Sequence, residues 1–345
     1  MDNKLTNHLV YFDVTDECNL TCKICMYKDK HTDVPLHLKL NDYSRKNVSN
    51  IINHDDTGLV VLSGEGEPSK NFDCINEILD LSTGNNSFQI ITNGGWDVAI
   101  QDYLSTLEQK SLDKNDYYSI RLSIDPFHIS QIDMRNYVDF FKYHLNSNSN
   151  KVSIAVRGLL EYKNATRTHI YKILSTIDNS PLIEERSPLV DAVHMHDKEI
   201  IIHYKNIVNN NGAFNKHLFP MLDYINLLEN KNGVPFTMGH ISEQKKGLDI
   251  TIKNTGDIFF YGIEYKSVGN IFFDELSINK LLQEVEHNEI INKLYNRSFK
   301  EIISKLNTHK IIARDIEKIN NPYWVVRVIS EKYPELFLKT IKGLK

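Results

Sequence analysis

Short apolar runs alternate with helix-period segments along the first two-thirds of the chain. Six runs are nearly continuous in apolar residues, as is typical of parallel strands buried on both faces, and we predict strands at 8–14, 58–63, 88–92, 118–124, 151–157 and 189–195. Helical periodicity lies between them, at 42–54, 69–81, 97–110, 132–145 and 165–177. Right-handed βαβ connections between such strands build a curved parallel sheet with its helices outside. Six strands are fewer than the eight of a full barrel, so we predict an α/β fold with a partial (β/α)6 TIM-like barrel.

The pattern changes from about residue 200 onward. Further β-type segments and a helix near 218–229 lead into LDITIKNTGDIFFYG (248–262), which predicts a hairpin with its turn at 254–257. After Asn270 the periodicity is helical to the end, and the polar segments 146–150 and 209–212 are typical of exposed loops. We therefore predict two domains, a partial barrel over residues 1–205 and a C-terminal extension of hairpin and helices over residues 206–345.

Charge and composition argue against several classes of protein. The 345 residues include 40 basic and 45 acidic side chains, for a net charge of −5, and they lack the basic stripe of a nucleic-acid-binding protein. The N-terminal segment lacks the apolar core of a signal peptide, and no apolar run is long enough to cross a bilayer. We expect a cytoplasmic protein, in which thiols stay reduced and clustered cysteines hold a metal rather than form disulfides.

Three of the four cysteines lie close together in CNLTCKIC, after the first predicted strand: Cys18, Cys22 and Cys25. In a parallel barrel this loop lies at the end where active sites gather. The CxxxCxxC spacing lets one loop hold three corners of a [4Fe–4S] cube, and the fourth iron then has no protein ligand. The alternative interpretation is a structural zinc site, completed by His31 or His37, or by the sulfur of Cys74.

This loop, in this place, resembles the cysteine loop of the radical S-adenosylmethionine (radical SAM) superfamily. The resemblance implies one [4Fe–4S] cluster, with the amino and carboxylate groups of SAM at the open iron position. The residue before the third cysteine is usually aromatic in the family and contacts adenine. Here it is Ile24, and Tyr27 offers an aromatic ring nearby.

The end of the second predicted strand also resembles the superfamily. SGEGEPS (63–69) corresponds to a Gly-Gly-Glu-Pro-like segment whose backbone and glutamate hold the SAM ammonium. Gly66, Glu67 and Pro68 match this segment, whereas Glu65, after Gly64, takes the place of the first glycine. A glycine lets a ligand approach the backbone closely, and a carboxylate binds an ammonium through charge-assisted hydrogen bonds.

Three further matches follow in order, one at each successive strand end. The resemblance assigns contacts with SAM to residues in ITNGG (91–95), LSIDPFH (122–128) and IAVRGLLE (154–161), namely Asn93, Ser123, Asp125, Gly158 and Glu161. In the last segment Ile154 replaces the family's first glycine. Arg157 is placed to meet a carboxylate with its fork of donors.

The resemblance implies a radical reaction. A reduced cluster gives one electron to SAM, which yields methionine and a 5′-deoxyadenosyl radical, and this radical abstracts a hydrogen atom from the substrate. A flavodoxin- or ferredoxin-type protein is the expected electron donor. His128, after the fourth strand, and His194 and His196, ending the sixth, are predicted at the barrel mouth, where a histidine can bind substrate or act as a base. Arg121 shares a face with Ser123, and its role stays open.

The C-terminal extension bears on the type of chemistry. Residues 254–282 resemble the start of a SPASM or twitch extension, but the chain has no cysteine beyond Cys74. A plain β-hairpin is the alternative interpretation of this segment. One cluster leaves no built-in acceptor for a product-radical electron, which favours redox-neutral chemistry or quenching by a hydrogen donor. Cys74 is either such a donor or a small buried thiol on the apolar stripe of a helix.

Three functions stay open. We expect modification of a ribosomally synthesised peptide, by epimerisation or cross-linking, because the extension resembles those of peptide-modifying enzymes. The segment before Cys18 is short for the leader-binding domain that many such enzymes carry. The second is radical modification of a small polar metabolite, such as a sugar, nucleoside or amino acid. The third is a non-catalytic zinc or iron–sulfur binding protein.

Overall fold

The computed structural model describes residues 5–27, 34–178, 181–195, 197–208, 218–242 and 245–344. The chain forms two compact units, each built from separate stretches of sequence. We call residues 12–39 and 59–205 the barrel unit, and residues 1–11, 40–58 and 206–345 the C-terminal unit. The sequence-based division at residue 205 assigns the two N-terminal segments of the C-terminal unit to the other part.

Strands and helices alternate up to residue 174, as the apolar pattern predicts. The elements to residue 205 are β1 (His8–Asp13), α1 (Asp42–Ile52), β2 (Thr57–Ser63), α2 (Phe72–Asp80), β3 (Ser87–Thr92), α3 (Ile100–Lys114), β4 (Tyr117–Ser123), α4 (Pro126–Ile129), α5 (Met134–Asn146), β5 (Val152–Leu159), α6 (Lys163–Leu174), β6 (Leu182–Ser187), β7 (Val190–Met195) and β8 (Lys198–Lys205). The first five predicted strands are present within two residues of their predicted bounds.

The sheet of the barrel unit runs in the order β1-β2-β3-β4-β5-β8-β7-β6. Pairing is parallel from β2 through β3, β4 and β5 to β8, which gives the partial TIM-like barrel that the sequence predicts. The prediction that 189–195 is the sixth parallel strand is wrong. That segment forms β7, which is antiparallel to both β6 and β8, and β8 takes the sixth place. Short turns join β6, β7 and β8, and a short turn can connect only antiparallel neighbours.

The two faces of the barrel strands differ in character. In β4, Tyr118, Ile120 and Leu122 are buried, and the residues between them are half-buried. A Cβ added at Gly158 on β5 would lie 2.8 Å from the Thr166 side chain of α6, so the face of Gly158 packs on helices. The opposite face is the interior of the barrel, and it carries polar and charged residues.

The remaining elements belong to the C-terminal unit. They are α7 (Met221–Asn232), β9 (His240–Ser242), β10 (Lys245–Gly247), β11 (Asp249–Ile252), β12 (Asp257–Phe260), β13 (Gly269–Asn270), α8 (Ile278–His287), α9 (Glu289–Asn296), α10 (Phe299–Leu306), α11 (Lys310–Ile316), α12 (Pro322–Lys332) and α13 (Pro334–Lys342). The predicted hairpin is confirmed: β11 and β12 pair antiparallel, and Gly256 supplies a φ of 83° at the turn. The predicted helical end is also present, whereas the loop at 209–212 lies outside the described residues.

Polar side chains tie the segments of the C-terminal unit together. Asn47 of α1 donates to the carbonyls of Ile271 and Asp274, both at 2.8 Å, and accepts from the N–H of Leu276 at 3.0 Å. Arg327 of α12 forms two bonds of 2.9 and 3.0 Å with the carboxylate of Glu264. None of the helices in the described residues has the length and hydrophobicity that a bilayer crossing requires.

Candidate functional site

The cysteine loop follows β1 directly and is folded around its thiols. Cys22 is buried at 8 % exposure, and Cys18 and Cys25 are half-buried. Backbone N–H groups face the sulfurs, that of Leu20 towards Cys18 and that of Tyr27 towards Cys25. The N–H of Cys25 donates to the carbonyl of Cys22 at 3.1 Å, which closes a turn containing the half-buried Ile24. The three thiols therefore lie within one compact, hydrogen-bonded loop.

The spacing of these thiols discriminates between a single metal ion and a cluster. A tetrahedral zinc with Zn–S bonds of about 2.3 Å holds its thiolates about 3.8 Å from one another. In the described part of the chain, the sulfurs of the three loop cysteines do not all lie within 4.8 Å of one another. At least one pair of these sulfurs is therefore further apart than a tetrahedral zinc would hold it. An all-thiol donor set is also what iron–sulfur clusters take.

The predicted fourth zinc ligands are engaged elsewhere. His37 places Nδ1 2.9 Å from the Thr15 hydroxyl and Nε2 3.3 Å from the Glu17 carboxylate, so both ring nitrogens have partners. Cys74 is 3 % exposed on the apolar side of α2, and burial raises the pKa of its thiol to about 12. This is the buried-thiol alternative. His31 lies outside the described residues.

Two of the loop thiols, Cys18 and Cys25, hold their protons more tightly than a free cysteine does. Burial raises the pKa of Cys18 to about 11, and burial also raises the pKa of Cys25. Iron binds thiolate, so loading the site must release protons and its affinity must rise with pH. The metal's own charge supplies the driving force for this deprotonation.

The turn after β2 is fastened to the cysteine loop by three backbone donors. The N–H of Glu65 donates to the Asp13 carboxylate at 2.5 Å, that of Gly66 to the Thr15 carbonyl at 3.0 Å, and that of Glu67 to the Glu17 carbonyl at 2.7 Å. A Cβ on Gly66 would lie 2.0 Å from the Glu17 carbonyl oxygen. Only glycine fits there, because the two segments of backbone are in contact.

Glu67 connects this turn to the end of β3. Its carboxylate is 2 % exposed and accepts from the Thr92 hydroxyl at 2.7 Å, the Asn93 N–H at 2.8 Å and the Ser69 N–H at 3.2 Å. Burial raises the pKa of Glu67, and these hydrogen bonds oppose the rise. Glu67 therefore positions the ITNGG segment, and its predicted contact with the SAM ammonium stays a prediction.

Asn93 extends the same network to the cysteine loop. Its side-chain amide donates to Asn19 Oδ1 at 2.7 Å, and Asn19 in turn donates to the Gly95 carbonyl at 2.8 Å. Asn19 lies between the first two cysteines of the motif. The predicted SAM segments at the ends of β2 and β3 are thus brought together with the loop, at one end of the barrel unit.

The segment after β4 meets the second cysteine. Asp125 caps α4 by accepting from the N–H groups of Phe127 and His128 at 2.9 and 3.2 Å, and it also binds His128 Nδ1 at 2.7 Å. Gln131 Nε2 donates to Cys22 Sγ at 3.5 Å, and its Oε1 accepts from the Thr21 N–H at 3.0 Å. Sequence reasoning did not identify Gln131, because its contact with Cys22 spans more than a hundred residues.

Neighbouring side chains set the pKa of His128. Burial lowers the pKa of His128, but the bonds to Asp125 and the charge of Cys22 outweigh burial and raise the pKa to about 10. The imidazole is therefore an imidazolium beside a metal-ligand sulfur when no metal is present. It lies at the barrel end that carries the loop, as predicted, and its role as substrate ligand or base stays a prediction.

The inner face of β4, β5 and β8 carries the remaining site residues. Ser123 and His203 both stand opposite Arg157 in register, and Lys205 stands opposite Leu159 one layer further towards the strand ends. Gly158 faces the helices instead, where its missing side chain admits Thr166 and the Tyr204 ring. Glu161 is half-buried in the short 3-10 helix Leu160–Tyr162 after β5.

His194, expected at the end of the sixth strand, does not belong to this site. His194 lies where β7 pairs with the beginning of β8, opposite Glu199, so it is at the far end of the strands from the cysteine loop. Its Nε2 is 3.0 Å from the Glu184 carboxylate. The predicted placement was wrong because β7 runs antiparallel. His196 lies outside the described residues.

Another group of potential metal ligands lies in the C-terminal unit. His8, His54 and Asp56 place ligand atoms within 4.8 Å of one another. His8 Nδ1 accepts from the Leu248 N–H at 3.0 Å, and His54 Nδ1 accepts from the Asp56 N–H at 3.2 Å. An imidazole whose Nδ1 is an acceptor carries its proton on Nε2 when neutral. Both rings therefore present an N–H rather than a lone pair, which suits a carboxylate better than a cation.

The fold resembles that of a solved structure of a histidine-tagged protein described as "anSMEcpe with bound AdoMet", with a TM-score of 0.51 and 14% sequence identity. The similarity covers 98% of this chain and 96% of that chain, and at this identity it shows the fold alone. No protein-family model and no curated protein matches the chain.

Proposed function

We propose that this chain is a radical SAM enzyme whose substrate is a ribosomally synthesised peptide. The observation that carries the first part is the CxxxCxxC loop at the strand ends, whose three thiols form one donor set. A protein of similar fold has been solved with AdoMet bound. The Gly66 turn, whose N–H groups hold the cysteine loop, and Asn93 lie at the same end of the barrel unit.

The cluster and SAM, when bound, supply one-electron cleavage of SAM to methionine and a 5′-deoxyadenosyl radical that abstracts a substrate hydrogen. The chain's own residues hold these groups in place. Cys18, Cys22 and Cys25 would hold the cluster, and the Gly66 turn and Glu67 fix the strand ends around it. Arg157 would offer its fork of donors to a carboxylate.

Anaerobic reconstitution with iron and sulfide tests the enzyme class. With dithionite and SAM, we expect 5′-deoxyadenosine and methionine in equal amounts from the wild type and from Cys74→Ala. Cys22→Ala must give neither product. If the reconstituted wild type binds iron but makes no 5′-deoxyadenosine, the chain is a binding protein and the proposal fails. A single zinc in anaerobically purified protein contradicts it as well.

Peptide modification is supported by the hairpin, short strand and helix of residues 249–287, the segment that resembles a SPASM-like extension without cysteines. Incubation with a short peptide encoded by a neighbouring gene tests it. A mass gain of about one unit per site in D2O indicates epimerisation, and a loss of about two units indicates cross-linking. An unchanged peptide under conditions that cleave SAM contradicts this part alone.

Modification of a small polar metabolite is the second candidate, because the inner face of the barrel carries arginine and lysine rather than apolar side chains. Deuterium transfer from a labelled sugar, nucleoside or amino acid into 5′-deoxyadenosine would favour it. For electron supply we propose a flavodoxin- or ferredoxin-type protein. Reduced flavodoxin should replace dithionite in the cleavage assay, and failure to do so would point to another donor.

A further inference from the structure

The side-chain amide of Gln131 lies against Cys22, the second cysteine of the loop. Its Nε2 donates to Cys22 Sγ at 3.5 Å and to the Phe127 carbonyl at 2.9 Å. Its Oε1 accepts from the Thr21 N–H at 3.0 Å and from the Thr21 hydroxyl at 3.3 Å. A primary amide has two N–H donors and two acceptor lone pairs, so this amide is fully engaged.

These partners fix which end of the amide faces the sulfur. The two ends of a glutamine amide have nearly the same shape, so the hydrogen-bond partners decide the orientation. The Thr21 N–H can only donate, which requires the amide oxygen on its side. The Phe127 carbonyl can only accept, which requires the NH2 group on the other side, where Cys22 also lies. Gln131 is therefore a hydrogen-bond donor to a cysteine of the motif.

The fold of the barrel unit holds the turn that carries Gln131. Asp125, just beyond the end of β4, caps α4 through the N–H groups of Phe127 and His128. The N–H of Gln131 then donates to the His128 carbonyl at 2.9 Å and closes the turn that follows α4. The position of the amide is thus set from β4 and α4, outside the cysteine loop.

Metal binding strengthens the contact between Gln131 and the sulfur. In the metal-free chain the Cys22 thiol donates to the Phe127 carbonyl at 4.0 Å. A thiol that ligates a metal is deprotonated, so the sulfur then only accepts hydrogen bonds and carries negative charge. The Phe127 carbonyl still has Gln131 as its donor. Hydrogen bonds to an ionised acceptor are roughly twice as strong as those to a neutral one.

We propose that the Gln131 amide raises the reduction potential of the iron–sulfur cluster by donating a hydrogen bond to Cys22. The inference rests on the proposed function, in which the three cysteines hold the cluster. Reduction adds negative charge to the cluster and its thiolates, and a donor at a ligand sulfur stabilises that charge. Hydrogen bonds to the sulfurs are among the properties that set the potentials of such clusters. Gln131 therefore acts on electron uptake through Cys22.

Redox titration of the reconstituted, SAM-free protein, followed by electron paramagnetic resonance, tests this. Gln131→Met, of similar length and without a donor, should lower the ratio of reduced to oxidised cluster at a fixed potential about threefold. Gln131→Glu keeps the shape but puts a carboxylate beside Cys22, and it should lower the ratio about tenfold, or about 59 mV for one electron. A single pH for all variants keeps the contribution of His128, whose charge acts on Cys22, the same.

Gln101→Met is the matched control. Gln101 is exposed, as Gln131 is, and its Nε2 donates to the Asp139 carbonyl at 2.6 Å, which links α3 to α5 without a sulfur. Loss of that bond should change neither the potential nor the iron content. Resonance Raman spectra give a second measurement: the iron–cysteine stretching bands should differ from wild type in both Gln131 variants and not in the control.

Two results for the variants overturn the inference. The first is a wild-type potential in both Gln131 variants with the iron content intact. The second is loss of iron from both variants while Gln101→Met keeps it, which would mean that the amide holds the loop instead of tuning the cluster. A wild type that assembles no iron–sulfur cluster overturns the proposed function together with this inference. Shifted potentials in the variants of a protein that cleaves no SAM contradict the proposed function alone.

Discussion

The two units each bury a lysine, and the surroundings of these lysines differ. Lys246 of the C-terminal unit donates to the Tyr295 carbonyl, and burial lowers its pKa to about 8. Lys205 of the barrel unit reaches a similar pKa, but there two arginine charges add to burial. The ammonium of Lys246 therefore has a hydrogen-bond acceptor within its own unit. Lys205 lies near like charges, and the charges of Asp125 and Cys25 oppose their effect.

Buried acidic side chains, in contrast to Lys205, form ion pairs within each unit. Asp191 on β7 is fully buried and binds Arg167 twice at 2.7 Å, together with the Tyr204 hydroxyl at 2.6 Å. Glu264 of the C-terminal unit is paired as fully with Arg327. Away from the cysteine loop, both units therefore neutralise these buried charges internally. Like charges are instead gathered at the strand ends of the barrel unit, around Lys205.

The largest expected effect is on the iron content of the barrel unit. Cys22→Ala should reduce the iron of the reconstituted protein from about four atoms to nearly none, because a cluster with two thiolates is not held. Cys74→Ala, a matched cysteine substitution, should leave iron unchanged. Iron counts and the absorbance of the reconstituted protein measure both. Equal iron in Cys22→Ala and wild type would contradict the assignment of the loop.

The next effect concerns stability. Asp191→Ala should lower the free energy of unfolding of the barrel unit by about 2–3 kcal/mol. It removes the bonds of Asp191 to the half-buried Arg167, which keeps Glu185, and to the buried Tyr204 hydroxyl. The chain has one tryptophan in each unit, Trp96 and Trp324, so Trp324→Phe leaves a reporter of the barrel unit alone. Urea unfolding followed by Trp96 fluorescence measures the change.

The matched control for that experiment is Glu264→Ala in the Trp96→Phe background. It should shift the transition that Trp324 reports. If either variant moves both transitions equally, the two units unfold as one, and the comparison between them does not hold.

The pH dependence of the free energy of unfolding tests both lysines. A folded pKa of about 8 lies below the ordinary value of 10.5, so the unfolded chain binds more protons between these values. The free energy of unfolding therefore rises with pH across this window. Lys205→Met and Lys246→Met should each remove about 1–2 kcal/mol of that rise, measured as wild type minus variant. The subtraction cancels the contributions of thiols and tyrosines.

The smallest expected effect lies at a helix start in the C-terminal unit. Ser298 caps α10 in a capping box with Glu301. Ser298→Ala should cost about 1 kcal/mol. Ser304→Ala, at an exposed position of the same helix, should be neutral, and Trp324 fluorescence in urea reports both. A similar loss in the two variants would mean that serine hydroxyls in general, rather than the cap, stabilise α10.

The sequence predicts the barrel well where each strand stands alone. The first five strands are isolated apolar runs separated by helices, and a run flanked by helices can only be a parallel strand. Residues 182–205 instead contain three similar runs joined by short turns, and an apolar pattern carries no direction. Choosing β7 in place of β8 put His194 in the site and left Lys205 unnoticed.

The candidate site shows the same limit: its local motifs are visible in the sequence, and its contacts between distant segments are not. Motifs within one segment, such as the cysteine spacing and the Gly66 turn, are visible in the sequence because their parts are neighbours. The bond from Gln131 to Cys22 and the use of Glu67 to hold Thr92 and Asn93 depend on contacts between distant segments. No local pattern contains them. The Asp125 cap of α4 is local. Its predicted contact with SAM stays a prediction, because caps and ligands use the same residue type.

The contact of Gly66 with the backbone of Glu17 limits which substitutions the cysteine loop accepts. Hydrogen bonds from Gly66 and Glu67 hold the entrance of that loop. A methyl group at residue 66 would overlap the Glu17 carbonyl oxygen, so a mutation to alanine there must displace the segment that carries all three thiols.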